Sequence, residues 1–446
     1  MTDLLEVADR VCSWARDGEE IEVLVGRSHE TAIRAYDGAI EKLQSAEVLG
    51  VGVRVVHDHR QGFAWAGTLD TDVLEEVLAD ARDNATFGDQ DDAFGLAVPD
   101  GVAYTDLDLF DDSLAGFPTD RKVDLALELE RAVLAADPRI SGTEGCDYDD
   151  GTTELAIVTT TGIRALTRET YVFLSADALA EQDGETRTGW WYSLGRGPGE
   201  LDVAACATET ALRATRLLGA KKPASLRCTV VLDPGVTSSF LGIVGGTLGG
   251  DEVLKGRSLF ADRLGEQVAS PLITLADDPH DLAAMGAAAI DGEGLATRRN
   301  PLLEGGVLQG FLHDTYTGRR FGTASTASAV RGFKSTPSVG CRALAIAPGT
   351  TSPADLIAAV GDGIYVQDVT GLHSGVNEVS GDFSTGADGL RIRDGQLAEP
   401  VREFTIASTL QRMLLDTSGV GDDLTWFPGN ASGVTLVVDD VTVSGT

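Results

Sequence analysis

The second half of this chain is punctuated too often to be helical. From Arg227 onward, short apolar runs at residues 228–232, 272–276, 308–312, 343–347, 364–369, 390–393, 404–407 and 433–437 alternate with glycine-rich turns. Runs this short cannot sustain an isolated helix, and the glycines between them turn the chain. Helices are expected at Pro353–Val360 and near 408–415, and the glycine-rich stretch 242–250 reads as a helix or a loop. Many short strands at irregular spacing predict an antiparallel sandwich or a barrel-like domain over residues 224–446.

The first half carries longer signals. Leu4, Leu5, Val7, Ala8, Val11, Cys12 and Ala15 recur at helical spacing. Strand-like runs follow at 21–25, 31–36, 40–45 and 48–56. Asp37-Gly38 lies between two of them, and a second hairpin tip is expected at 57–62. Residues 71–84 read as a helix, and the Asp-, Gly- and Pro-rich stretch 87–118 as a linker or long loop. A second unit has helices at 120–136 and 204–218 around strands at 154–160, 163–175 and 189–194, with Thr161-Gly162 as a turn. The expected fold class is therefore α+β: N-terminal α/β units followed by a β-rich C-terminal domain. The expected boundaries are 1–86, a linker 87–118, 119–223 and 224–446.

Charge narrows the function. A formal net charge of −35 over 446 residues repels phosphate, so sequence-independent binding of nucleic acid is not expected. No segment has the ~18 consecutive apolar residues of a membrane span. The N-terminal stretch has no basic segment followed by an apolar one, so no signal peptide is expected. The five cysteines, Cys12, Cys146, Cys206, Cys228 and Cys341, are scattered without a CxxC pair. That fits a reducing cytoplasm and argues against a disulfide framework or a cysteine-based zinc site.

Familiar chemistry is hard to find. The glycine-rich stretch 242–250 fails as a phosphate loop because Lys255 precedes Gly256 instead of following a glycine. His57 and His59 would share a face if both lay on a strand, but no third metal ligand stands nearby. His280, His313 and His373 are isolated and read as loop or hydrogen-bonded residues. There is no GxSxG elbow, and Cys341 reads as a small buried apolar residue. The polar segment HSGVNEVSGDFS at 373–384 sits between expected strands, where ligands are often held.

Three stretches carry a resemblance. They are IEKLQSAEVLGVGVRVV at 40–56; LGGDEVLKGRSLFADRLG at 248–265 with LADDP at 275–279; and GVNEVSGDFS at 375–384 with EPVREFTIA at 399–407. Occurring in this order, they resemble the TldD/PmbA family of peptidases over nearly the whole chain. In the TldD branch an HExxxH helix precedes the second stretch, and a cysteine near the C-terminus resembles a third zinc ligand. Aligned on Gly250-Asp251, that motif falls on Leu241, Gly242 and Gly246, none of which can bind zinc or activate water. The C-terminal position reads Gly429-Asn430-Ala431-Ser432-Gly433, with no cysteine after Cys341.

The resemblance therefore points to the PmbA (TldE) branch. It implies a cytoplasmic subunit with no catalytic residues and no cofactor of its own. The implied partner is a TldD-like metalloprotease subunit that holds the zinc, and the implied substrates are unfolded peptides. Membrane and nucleic-acid partners are not implied. By the same resemblance, Gly249, Gly250, Asp251, His373, Asn377 and Asp382 are the expected substrate contacts. Two alternatives stay open: a stand-alone hydrolase with a different metal or nucleophile, and a peptide-binding homodimer without catalysis.

Overall fold

The computed structural model describes residues 3–446. Strands β1 (Glu20–Tyr36), β2 (Ala39–His57), β3 (Arg60–Ala66), β4 (Ile140–Thr159), β5 (Arg164–Gln182) and β6 (Glu185–Gly195) form one antiparallel sheet in the order β3-β2-β1-β4-β5-β6. The turn between β1 and β2 places Asp37 and Gly38 at φ 52° and 74°, a geometry that matches strand twist. Asp58 and His59 do the same at the next tip, with φ 48° and 57°. The four short runs expected in this region merge into two strands of 17 and 19 residues. Pairing continues through the polar stretch, with Arg27 opposite Leu49 and His29 opposite Glu47. Cross-strand hydrogen bonding overrides the local break in hydrophobicity there.

Side-chain alternation divides this sheet between two neighbours. One face of its first half packs Ile21, Val23 and Val25 against helices α1 (Leu4–Cys12) and α2 (Thr71–Phe87). The same face of its second half packs Ile33, Tyr148 and Leu174 against α3 (Thr119–Ala136) and α4 (Val203–Thr215). On the opposite face, Leu24, Ile157 and Ile163 meet Ile290, Leu295 and Ala327 of the C-terminal half. The same joint contains a buried ionic cluster. Arg54 donates to Glu22 at 2.9 and 3.0 Å and to Glu293 at 3.4 Å, while Arg331 pairs with Glu22 at 2.6 Å. The Asp-rich segment after α2 is docked on the C-terminal half: Phe94 stacks on Tyr316, and Tyr316 donates to Asp91 at 2.9 Å.

The β-rich domain resolves to a barrel. Strand β7 (Leu226–Leu232) pairs in parallel with Gly363–Thr370 and antiparallel with Leu436–Ser444. Gly363–Thr370 continues antiparallel to Asp382–Arg393, then Gln396–Thr409. Gln396–Thr409 pairs back onto Leu436–Ser444, with Ile406 opposite Val443, so five strands close on themselves. Helix α5 (Pro234–Gly246) leaves β7 directly. It buries Val236, Phe240, Leu241 and Val244 in the core that also holds Val230, Ile364 and Leu436 of the barrel and Leu275, Leu303 and Leu344 of a small antiparallel sheet.

Candidate functional site

Helix α5 is fixed at its N-terminus by charge. Asp233 caps it, accepting from the Gly235 N–H at 2.9 Å, with Pro234 at the first helical position. The same carboxylate accepts from Arg213 of α4 at 3.1 Å and from the Tyr365 hydroxyl at 2.6 Å. Arg213 is itself buried and also donates to the Gln367 carbonyl and to Asp368. Near the middle of α5, Ser238 donates to the Ala431 carbonyl at 2.7 Å. Helix, barrel strand and C-terminal loop are thereby held in one arrangement.

That arrangement leaves a cavity of about 660 Å³ over one face of α5. Gly235, Gly242 and Gly246 form its floor, Trp190, Trp191 and Phe427 part of its wall, and Gly429, Asn430 and Ala431 another part. A Cβ placed on Gly242 or Gly246 would meet nothing within 4 Å. The aromatic wall is a cluster: Trp191 meets Phe427 edge-on at 6.0 Å, and the Arg213 guanidinium lies 4.9 Å over Trp191.

Of the positions on which the resemblance places a metal motif, Gly242 and Gly246 line this cavity together with Gly429, Asn430 and Ala431 of the C-terminal stretch, whereas Leu241 does not. Gly242, Gly246 and Ala431 carry no ligating atom, and Leu241 is fully buried in the core. Cys341 lines the cavity, but burial pushes its thiol well above the usual range, so it is not a thiolate. Asp368 is engaged by Arg213 and by the Gln367 amide at 2.8 Å. Among the described residues, no group of three or more His, Cys, Asp and Glu could hold a metal ion. The residues present do not fit a zinc centre.

The substrate contacts expected from sequence lie elsewhere and apart. Gly249 and Gly250 open α6 (Gly250–Leu254) against the loop at Leu312, where the Gly250 N–H donates to the Leu312 carbonyl at 2.8 Å. A Cβ on Gly250 would sit 2.3 Å from the His313 ring, so close packing requires glycine there. Asp251 pairs with Lys255 at 2.8 Å. His373 lies in the short helix Leu372–Gly375. Asn377 and Asp382 close a turn: the Asn377 side chain accepts from the Val379 and Ser380 N–H groups, and Asp382 accepts from the Ser380 hydroxyl at 2.8 Å. None of these six residues lines the cavity. His57 ends β2 while His59 sits in the following turn, so they do not share a strand face; His57 Nδ1 lies 3.0 Å from the Gly18 carbonyl.

Sequence reasoning missed Trp190, Trp191, Arg213 and Phe427. The consecutive aromatics Trp190-Trp191-Tyr192 were the available signal. In a strand they point to both faces, so both sides of β6 must be covered by something apolar.

Comparison with known proteins identifies the family and the fold. Three models of the PmbA/TldA metallopeptidases fit successive parts of the chain: domain 1 over residues 21–85, the central domain over 112–218 and the C-terminal domain over 225–445. The chain belongs to the PmbA/TldD family. The metalloprotease PmbA of Escherichia coli O157:H7 is 27% identical over 431 residues, covering 95% of this chain and 92% of that protein. A metalloprotease TldD homolog of Haemophilus influenzae is 28% identical over 442 residues, covering 92% and 89%. Among solved structures, a Thermotoga maritima protein described as a candidate modulator of a DNA gyrase superposes with a TM-score of 0.91 at 25% identity, covering 98% of this chain and 99% of that one. TldE of Thermococcus kodakarensis has the same fold, with a TM-score of 0.89 at 20% identity over 99% of both chains.

Proposed function

We propose that this chain is the metal-deficient, TldE-like subunit of a two-chain cytoplasmic metalloprotease that degrades or trims unfolded peptides, the zinc residing in a TldD-type partner. The observation that carries the reading is the glycine face of α5. The helix is built and anchored, yet it presents Gly242 and Gly246 to the cavity where the TldD branch is expected to present donors. Chemistry at this site would need an activated nucleophile or an activated water; the Ser238 and Ser239 hydroxyls donate to the Ala431 and Gly235 carbonyls, and Cys341 is held as a thiol. The chain's contribution is then to form part of the enclosing wall and to hold substrate near the partner's metal.

The test is zinc content and cleavage of an unstructured peptide, measured for the chain alone and for the chain mixed with a TldD-type protein bearing HExxxH. Cleavage confined to the mixture, with zinc confined to the partner, is expected. Metal-dependent cleavage by the chain alone would overturn the reading and favour a stand-alone hydrolase.

A further inference from the structure

We propose that the cavity over α5 binds unfolded polypeptide by one bulky apolar side chain, preferring an aromatic ring in basic sequence surroundings. The inference rests on the reading above in one respect, that the ligand is a polypeptide.

The floor is backbone. Gly242 and Gly246 leave open the volume their own side chains would fill, so a flat group can lie directly on the helix. The walls suit such a group. Trp191 and Phe427 stand nearly perpendicular, at 88°, and Trp190 is 39% exposed beside them. Offset and edge-to-face contacts are therefore available to an incoming ring. Arg213 cannot serve as a mobile partner, because Asp233 and Asp368 hold it against Trp191; it fixes the wall. At the mouth, Ser239, Gly429 and Asn430 are exposed and offer donors and acceptors to an extended main chain. The volume is within the range of ligand pockets, about 300–1,000 Å³.

Charge selects the occupant. Residues 427–429 divide this cavity from a second one of about 420 Å³: Phe427 and Gly429 line the first, Pro428 the second. The second is walled by Asp149, Glu169, Tyr171 and Phe173, with Arg196 lying 3.9 Å from Glu169. Two carboxylates and one guanidinium line it, so its balance is negative and an added cation is favoured there. A second copy of this chain would bring another −35 to the contact, whereas a basic peptide is complementary.

The test is isothermal titration of the chain alone, with chelator present, using four blocked nonapeptides in a Gly/Ser background. Each carries a central Phe or Ala flanked by Lys or Glu. The Phe–Lys peptide is expected to bind at least about tenfold more tightly than the Ala–Lys peptide, and more tightly than the Phe–Glu peptide at low salt. Gly246→Leu and, separately, Gly242→Leu fill the cavity from its floor and are expected to abolish the Phe-over-Ala ratio without lowering the thermal midpoint. Equal affinities for Phe and Ala peptides, or a ratio that survives both substitutions, overturn the site. Equal affinities for the Lys and Glu versions overturn the charge preference. Should a leucine variant lose its fold, indole NMR on the unmodified chain decides. The Phe peptide must shift the Trp190 and Trp191 Nε1–H resonances, and no shift there refutes the proposal. Cleavage by the chain alone would sink the subunit reading and leave these ratios standing. Loss of the ratios would leave the zinc and cleavage results untouched.

Discussion

Replacing Arg54 by Met tests whether the buried ionic cluster holds the N-terminal sheet to the C-terminal half. The cluster has two cations and two carboxylates, and the side chains of Arg54, Glu22 and Glu293 are 4%, 0% and 1% exposed. Methionine keeps the apolar stem and deletes the guanidinium. Glu22 retains Arg331, whereas Glu293 loses the cation that does most to lower its pKa. Breaking a buried pair from one side costs about 3–5 kcal/mol.

The loss should depend on pH. Burial already pushes the Glu293 carboxyl up to about 7, from an ordinary 4.5. Its folded state therefore binds the proton more tightly than its unfolded state does. The resulting stabilisation is full below pH 4.5 and is lost as pH rises through 7. Deleting Arg54 raises the folded value further, adding roughly 1.4 kcal/mol of penalty at high pH for each further unit. Urea unfolding followed by tryptophan fluorescence at pH 5 and pH 8 should show the larger loss at pH 8, with little change in slope. Adding Glu293→Gln should recover part of it. A loss under about 1 kcal/mol at pH 8, or one equal at both pH values, would refute the argument.

Three further substitutions or probes follow from the packing. Gly242→Ala should raise stability by about 0.5–1 kcal/mol, read as a higher urea midpoint, because the methyl meets open space and a helix-interior glycine is replaced. Gly50→Ala should cost about 1–3 kcal/mol, since its Cβ would lie 2.2 Å from the Phe333 ring. In a Phe333→Ala background the same change should cost little, which thermal unfolding of the double variant checks. Burial pushes the thiols of Cys146 and Cys206 up to about 12, so these cysteines should react with a disulfide reagent at pH 8 only after urea unfolds the chain. Rapid labelling of either of them in the folded protein would contradict the packing described.

Local signals carried the elements of the first half but failed on their lengths, and they did not delimit helix α5 in the second half. Asp37-Gly38 and the 57–62 tip mark real hairpins, and the helical spacing at 120–136 marks α3. Strand β4 begins at Ile140, but its first half reads ISGTEGCDYDDG, whose glycines and carboxylates suppress any strand signal. Those residues are held by two long neighbours, β1 and β5, and that is information no local window contains. The barrel is similar: sandwich and barrel are indistinguishable in the runs, and closure depends on Thr405–Ala407 meeting Thr442–Ser444. The cavity was hidden for the same reason. Its residues come from β6, α4, α5, the barrel strand Gly363–Thr370 and the segments near 340 and 430, and only tertiary packing assembles them.

One contrast within α5 separates a relic from a site. Gly245 is demanded by packing, since a Cβ there would sit 2.6 Å from Leu344 and 3.1 Å from the Cys341 sulfur. Gly242, one turn earlier, has no such neighbour, and in a helix interior glycine costs about 1 kcal/mol relative to alanine. Packing alone would accept a larger residue there and gain stability. The helix is nevertheless anchored before Gly242, by Asp233 with Arg213 and Tyr365 and by Ser238 with Ala431. A firmly held helix whose open face carries no side chain is the arrangement expected if the space above it is to be occupied by something else. The Phe-over-Ala ratio in the filled and unfilled cavities measures that occupancy directly.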